Sequence, residues 1–265
     1  MLNKELLQRR NKIPFRPPNV VCCLSMKALF TTILLQPILN LLVGLYHYIP
    51  DIGVAIIIVT VVIRLILHPL SKKSIVQQRA MQALQPKLTE LKEKYKDDKQ
   101  KQAAEMMALY KENKVSPFSS CLPLLIQLPI LLALYWALEK GLVKQSFDLL
   151  YNFVPNPGSI KTLAFGFLDL AKPNIAIAVL AGAAQFIQAK MLMVKQTPPP
   201  VNGAKDENMM NMMNKQMLYM MPAMTVFIGI GIQGGLTLYW LVTTIFTVAQ
   251  QWWLFRKIHN IEHKT

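Results

Sequence analysis

Acidic residues and cysteines are scarce in this chain, and both shortages restrict what it does. Its 265 residues include 14 Asp and Glu against 29 Lys and Arg, which gives a formal net charge of +15. Three cysteines, Cys22, Cys23 and Cys121, provide neither a disulfide framework nor the spacing of a metal site. The chain has no H-E-x-x-H motif, no phosphate-binding glycine loop and no plausible serine–histidine dyad. We therefore expect no metal, no cofactor and no enzymatic activity.

Charged residues of either sign are rare, at 16% of the chain against 53% hydrophobic residues. Several apolar runs approach ~20 residues, the length with which a helix crosses roughly 30 Å of hydrocarbon, so we predict an all-α membrane protein. The first long polar interval, between residues 72 and 114, holds 11 basic and six acidic residues. Such a mixed-sign stretch is typical of a cytosolic loop, and nucleic acid is not expected as the main ligand.

The hydropathy pattern predicts five spans with two long polar intervals. In chain order we predict a disordered basic N-terminus (1–27), an interfacial amphipathic helix (28–49), a first span (52–70), a cytosolic helical hairpin (71–115), a second span (117–138), an extracytosolic segment (139–172), a third span (173–194), a cytosolic loop (195–214), a fourth span (215–233), a fifth span (236–255) and a cytosolic tail (256–265). With Lys190 and Lys215 counted as part of the cytosolic loop, the hairpin, loop and tail hold 18 basic residues against four in the extracytosolic segment, so the C-terminus is expected in the cytosol.

Residues 28–49 are compatible with two placements. Six basic residues upstream favour a spanning signal anchor with its N-terminus inside. The interior Pro37 and scattered polar groups favour a helix that lies in the membrane interface, which is the interpretation we prefer.

Arg64 is the only permanently charged side chain in the first predicted span. An arginine inside a span costs at least ~2.5–3.5 kcal/mol on insertion scales, so its presence needs a reason. Thr60, Arg64 and His68 recur every four residues and share one helical face. Two interpretations stay open: Arg64 extends its side chain towards the basic residues at 71–73, or it faces a water-filled cavity inside the bundle.

The other spans also carry polar side chains at helical spacing. These positions are Ser120 and Gln127 in the second span, Gln185 and Gln188 in the third, Thr225 and Gln233 in the fourth, and Thr237, Trp240, Thr244, Thr247 and Gln251 in the fifth. If these faces converge, they form a hydrophilic groove that holds one positive charge and no acidic partner. Hydrogen bonding between helices, worth ~0.6 kcal/mol per bond, is the alternative explanation. The lack of an interior carboxylate in the spans excludes an aspartyl intramembrane protease.

Three segments, taken in order, resemble the YidC/Oxa-type membrane protein insertases. They read IIIVTVVIRLILHPLSKKSIVQQRAMQALQPKL, KYKDDKQKQAAEMMALYKENKVSPFSSCLPLLIQLPI and GGLTLYWLVTTIFTVAQQ. The resemblance covers residues 34–258 and implies a five-helix core without a large extracytosolic domain. Its groove would be open to the cytosol and the lipid and closed on the outside. An asparagine common after the LYW motif is Thr244 here, a polar replacement that leaves the assignment intact.

The resemblance also implies roles for particular side chains. Arg64 is expected to attract an acidic part of the substrate, and Gln127, Gln188 and Trp240 to belong to the groove. Trp240 lies near the outer end of its span, so an aromatic-belt anchor is an equally open interpretation. The full set of candidate groove residues is Arg64, Thr60, Gln127, Gln185, Gln188, Trp240 and Thr244.

The implied function is insertion of nascent membrane proteins into the lipid bilayer of a bacterial inner membrane, alone or with a Sec-type translocon. The cytosolic hairpin would receive substrate, the hairpin and tail would contact the ribosome, and client helices would leave along the third and fifth spans. A small-solute transporter or channel with a polar cavity is the alternative. Transporters of that kind show repeats with paired broken helices, and the sequence has no such pair.

Overall fold

The computed structural model describes residues 27–116, 122–192 and 216–262. The N-terminal segment predicted to be disordered, apart from Lys27, and the whole predicted loop 195–214 lie outside these residues, as does Ser120. Nine α-helices account for most of the described chain, which confirms the predicted all-α class.

Short connections join most of these helices, but long segments separate the sixth helix from the seventh and the seventh from the eighth. They are α1 (Gln36–Tyr48), α2 (Ile52–Ile66), α3 (His68–Ala83), α4 (Gln85–Lys94), α5 (Lys99–Glu112), α6 (Leu122–Leu138), α7 (Ile175–Leu192), α8 (Met221–Gly231) and α9 (Gly234–Glu262). π-Helical turns precede α1 (Thr31–Leu35), follow α6 (Glu139–Val143) and precede α8 (Gln216–Met220). Two short antiparallel strands, β1 (Leu163–Ala164) and β2 (Leu168–Asp169), pair with Ala164 opposite Leu168.

Among the described residues, three helices are long and apolar enough to cross a membrane. These are Lys27–Tyr48, Leu125–Val143 and Ile175–Leu192, and α2 with α3 forms a bent pair that counts as a fourth. The apolar part of α8, Leu218–Gly231, is shorter. α9 has 29 residues, but its threonines and glutamines make it less apolar than the other long helices. The predicted fourth span therefore falls short in the length of its helix, and the predicted fifth span in its hydropathy.

α1 is bound at two points by the segment that connects α6 to α7. The Asn40 amide donates to Leu149 O (2.9 Å), and its oxygen accepts from Tyr151 N (2.6 Å). Nearly two turns further on, the Tyr46 hydroxyl accepts from Lys161 N (3.0 Å). Length and composition allow α1 to cross a membrane, but these contacts favour a helix that lies along one end of the bundle.

The first predicted span is shorter than expected because the chain bends sharply after Ile66. α2 begins with Asp51, whose Oδ1 accepts from Gly53 N (2.8 Å) and Val54 N (3.1 Å). It ends at Ile66 rather than at residue 70, and α3 leaves at 69° to it. Pro69 has no N–H to continue the hydrogen-bond ladder, and its ring clashes with the preceding turn, which explains the break.

The predicted helical hairpin is formed by α4 and α5, with α3 leading into it. Pro86 lies in the first turn of α4, where a missing N–H costs nothing. A small apolar cluster of Met81, Leu84, Leu88 and Val115 holds the hairpin together. α3 is thus a continuous connection between the membrane-embedded bundle and the hairpin.

The main hydrophobic core occupies the end of the bundle where α2 begins and α6 ends. Its fully buried members include Leu39, Leu42, Ile52 and Ile56. α9 continues to Glu262, past the predicted boundary at residue 255. The charged residue Arg256 marks a change in polarity, but without Gly or Pro it does not end a helix, so the first part of the predicted tail is helical.

Candidate functional site

A cavity of about 480 Å³ lies between α2, α3, α6, α7 and α9, with one contribution from the start of α8. Arg64 is the only charged side chain among the described residues that line it. Most of the other lining side chains are neutral and polar, and the apolar ones include Ile75, Leu128, Leu131 and Met221. The volume is many times the ~30 Å³ that one water occupies in the liquid, so the cavity can hold several waters or a short length of peptide.

Arg64 is held inside the bundle by neutral partners from two other helices. Its Nη2 donates to Gln127 Oε1 of α6 at 3.1 Å, and its Nε approaches Thr243 Oγ1 of α9 at 3.4 Å. The Gln127 amide nitrogen donates in turn to the Tyr239 hydroxyl at 2.6 Å. The guanidinium is therefore anchored within the cavity, and the interpretation in which it extends to the basic membrane surface does not describe this geometry.

α9 supplies one continuous polar wall of the cavity. The polar residues of α9 that line the cavity lie within about two turns of the helix, and they are Thr243, Thr244, Thr247, Gln250 and Gln251. Thr244 and Thr247 donate to the carbonyls four residues earlier, both at 2.8 Å, so their hydroxyls are satisfied within α9. These threonines make the wall polar without consuming the hydrogen-bonding capacity of Arg64.

The end of the cavity nearest the hairpin is lined by α3 and carries unsatisfied polar atoms. Ser74 Oγ and Gln251 Oε1 are buried and have no hydrogen-bond partner among the described residues. Gln250 Nε2 lies 3.1 Å from His68 Nδ1, which attaches α9 to the first turn of α3. An unsatisfied buried polar group costs ~1–3 kcal/mol, so this end of the cavity favours water or polar substrate groups.

The structure brings most of the candidate groove residues together and leaves one apart. Six of the seven, all except Thr60, line the cavity. Thr60 is fully buried and donates to Ile56 O of its own helix at 2.6 Å. Thr60 therefore belongs to the packed core, one helical turn before Arg64 and outside the cavity. Gln185 also has a partner, accepting from Thr225 Oγ1 of α8.

Sequence reasoning missed Tyr239 and Thr243, the two α9 residues nearest to the Arg64–Gln127 pair. The predicted polar face follows Trp240, Thr244, Thr247 and Gln251, and so passes beside them. Tyr239 and Thr243 are four residues apart and therefore share a helical face, and this spacing is the sequence signal that points to them. Polar positions of α3, such as Ser71 and Gln78, were assigned to the hairpin although they line the cavity.

A model of the family described as 60Kd inner membrane protein matches residues 44–262. The chain belongs to the YidC/Oxa-type family. Among the relatives of this YidC/Oxa-type chain, the membrane protein insertase YidC of Actinobacillus pleuropneumoniae serotype 3 (strain JL03) is 35% identical over 229 residues, 86% of this chain and 37% of that protein. The insertase YidC of Tolumonas auensis is 36% identical over 225 residues, covering 85% of this chain and 36% of that protein.

The YidC of Haemophilus influenzae (strain Rd) is 34% identical over 225 residues, 85% of this chain and 37% of that protein. This YidC/Oxa-type chain thus spans a little over a third of the length of the curated relatives it matches. Family membership and the apolar helices indicate a bacterial inner-membrane protein, in a family that is not one of catalytic enzymes.

Proposed function

We propose that this chain is a membrane protein insertase that receives nascent membrane proteins in the cavity and releases their helices sideways into lipid. The relatives that carry the name membrane protein insertase support this activity. The single observation on which it rests is Arg64, an arginine whose hydrogen-bond partners among the described residues are neutral, in a polar cavity within an apolar bundle.

An unneutralised arginine lowers the cost of bringing an acidic group into the bundle. Two opposite charges 4 Å apart attract by ~4 kcal/mol at the effective dielectric constant of ~20 that suits partly buried sites. None of the described residues that line the cavity is acidic, so no internal carboxylate competes for Arg64. An acidic residue in the polar tail of a client is the partner that this electrostatic environment favours.

The cavity faces the side of the membrane that we assign to the cytosol. Its α3 wall, Ser71, Ser74 and Gln78, leads directly into the hairpin with its many basic residues. The positive-inside bias places that hairpin, and with it the end of α9, in the cytosol. A client tail therefore enters from the compartment in which it is synthesised.

Release into lipid requires an apolar path along the outside of the bundle. α7 exposes Ile175, Val179 and Ile187 on one face, and α9 exposes Ile245. A client helix on this surface gains ~25 cal/mol per Å² of apolar area removed from water. That transfer, together with attraction of acidic tails by a membrane potential that is positive outside, drives insertion without nucleotide hydrolysis.

The same arrangement accommodates two further partners. The hairpin carries both signs of charge on exposed helices, and together with the tail it is the surface that we assign to ribosome contact. A Sec-type translocon acts with the insertase for clients whose segments it delivers to the lipid-facing side. Neither partner is needed for the electrostatic step at Arg64.

Insertion into protein-containing lipid vesicles tests this proposal. A single-span client with an acidic N-terminal tail is compared with the same client whose tail is neutral, and protection of the tail from protease measures insertion. Arg64→Ala is expected to reduce insertion of the acidic client, Arg64→Lys to retain it, and the neutral client to respond little to either. Lys161→Ala, which removes one positive charge from an exposed position outside the cavity, serves as the control. Full insertion of the acidic client by Arg64→Ala would refute the electrostatic mechanism.

A further inference from the structure

Arg64 belongs to a chain of four hydrogen-bonded side chains from three helices. It donates to Gln127 and approaches Thr243, and Gln127 donates to Tyr239. Arg64 and Gln127 thus each contact two of the four side chains, and Tyr239 and Thr243 are the two ends of the chain.

Tyr239 is the end of this chain that does not reach the cavity. Its side chain is 2% exposed and packs in the hydrophobic core, and it is not among the residues that line the cavity. The neighbouring Trp240 does line it. A substrate in the cavity thus meets Arg64 and Trp240, whereas the Tyr239 hydroxyl acts only through Gln127.

Arg64, which has only donors, selects the oxygen end of the Gln127 amide, and the Tyr239 hydroxyl accepts from the nitrogen end and so holds the amide in that orientation. An amide offers an acceptor oxygen on one side and two donor hydrogens on the other, and the two ends are nearly equal in size. With its nitrogen donating to Tyr239 Oη at 2.6 Å, Gln127 turns its oxygen to Arg64 Nη2 at 3.1 Å. The reverse orientation would set amide hydrogens against the guanidinium hydrogens, so it would repel Arg64.

We propose that Tyr239 is a positioning residue that, through Gln127, holds the Arg64 guanidinium ready for a client carboxylate. This inference rests on the proposed insertase function. Two of the five guanidinium N–H groups are directed at Gln127 and Thr243, which leaves three for a ligand. A fixed fork can bind a carboxylate through two parallel hydrogen bonds, whereas a freely rotating one must first be ordered.

Two substitutions and their combination test the proposal in the vesicle assay. Tyr239→Phe keeps the aromatic ring and removes the hydroxyl, while Gln127→Leu removes the amide through which the hydroxyl acts. Each is expected to lower the ratio of acidic-client to neutral-client insertion roughly three- to tenfold, the range that the loss of one hydrogen bond produces. The double variant is expected to behave as Gln127→Leu alone, because Tyr239 has no separate route to the substrate.

Tyr46→Phe is the matched control, since that hydroxyl is also buried and accepts a single bond, from Lys161 N, outside the cavity. It is expected to leave the client ratio unchanged, and thermal unfolding in detergent shows whether each variant is folded.

An unchanged ratio in Tyr239→Phe, an equal loss for both clients, or losses that multiply in the double variant would each overturn the positioning role. Arg64→Ala separates failure of the positioning role from failure of the insertase mechanism. If Arg64→Ala lowers acidic-client insertion and Tyr239→Phe does not, the insertase mechanism stands and the positioning role fails. If Arg64→Ala has no effect either, both fail.

Discussion

Gln127→Glu changes one neutral acceptor of Arg64 into a negative one while keeping its shape. The substitution replaces the amide nitrogen and keeps the oxygen that lies 3.1 Å from Arg64 Nη2, so one carboxylate oxygen would lie within ion-pair distance. At an effective dielectric constant of ~20, opposite charges at this separation attract by about 5 kcal/mol. The cavity would then contain a neutral ion pair in place of a single positive charge.

A client carboxylate would have to compete with the new internal partner. Desolvation and solvent screening offset much of the Coulomb attraction. If only a quarter of it remains, ~1.4 kcal/mol, insertion of an acidic client falls about tenfold. The neutral client makes no use of the charge, so its insertion rate is expected to change little, and the folded protein should unfold at a similar or higher temperature.

The measurement is the initial rate of protease protection for both clients in vesicles that contain equal amounts of each protein. Asn156→Asp is the matched control, because it also turns an amide into a carboxylate and keeps the oxygen that accepts from Gly158 N (2.9 Å). Asn156 lies in an exposed connection outside the cavity. Wild-type insertion of the acidic client by Gln127→Glu would refute the idea that the uncompensated charge of Arg64 receives the tail.

Two further predictions concern the segment between α6 and α7. Asn40→Ala removes the bonds to Leu149 O and Tyr151 N from a buried position, so we expect a loss of ~1–3 kcal/mol in the free energy of unfolding, measured by denaturation in detergent. An unaltered transition would show that these bonds do not fix α1. Hydrogen bonds from Ser146 and Lys140 lower the pKa of the Asp148 carboxyl. A depressed carboxyl pKa stabilises the folded state above the unfolded value, so this contribution should fade as the pH falls below roughly 4. Limited proteolysis of the segment should detect the change, and Asp148→Asn should remove the pH dependence.

The helices and the presence of a polar cavity follow from the sequence because both depend on periodicity. The third predicted span, 173–194, is close to α7, Ile175–Leu192. Arg64 stood out because a single charge in an apolar helix is costly, and that cost does not depend on the details of packing. The other predicted residues that line the cavity with Arg64 each lie on the polar side of their own helix. They are Gln127, Gln185, Gln188, Trp240 and Thr244.

Tertiary contacts explain what periodicity did not predict. Thr60 shares the helical face of Arg64, but neighbouring helices bury it completely. The same face of α2 is therefore packed at Thr60 and borders the cavity one turn later, at Arg64. Tyr239 looks like an apolar core residue, and only the position of Gln127 on another helix gives its hydroxyl a role. The bend after Ile66 was recognisable from Pro69, but its angle depends on how α3 packs against α9.

The extent of the cavity bears on the choice between an insertase and a channel. From Arg64 to the start of α2 at Ile52 is 12 residues, or about 18 Å of helix. Over that distance Ile52, Ala55, Ile56 and Val59 are fully buried, and this helix packs against α1 and α9. A continuous aqueous path would have to pass through this core, whose described α2 side chains are apolar apart from Thr60, so little replaces the water that an ion or solute would lose.

A client tail has another route, because its own apolar helix can move into the lipid beside the bundle. The cavity needs only to take the polar residues part of the way across, and Arg64 lies at the closed end of the part that is polar. From there the remaining distance is shorter than the full hydrocarbon layer of roughly 30 Å. A cavity that is polar at one end and closed by a packed core at the other therefore favours sideways release of a protein segment over conduction of a solute.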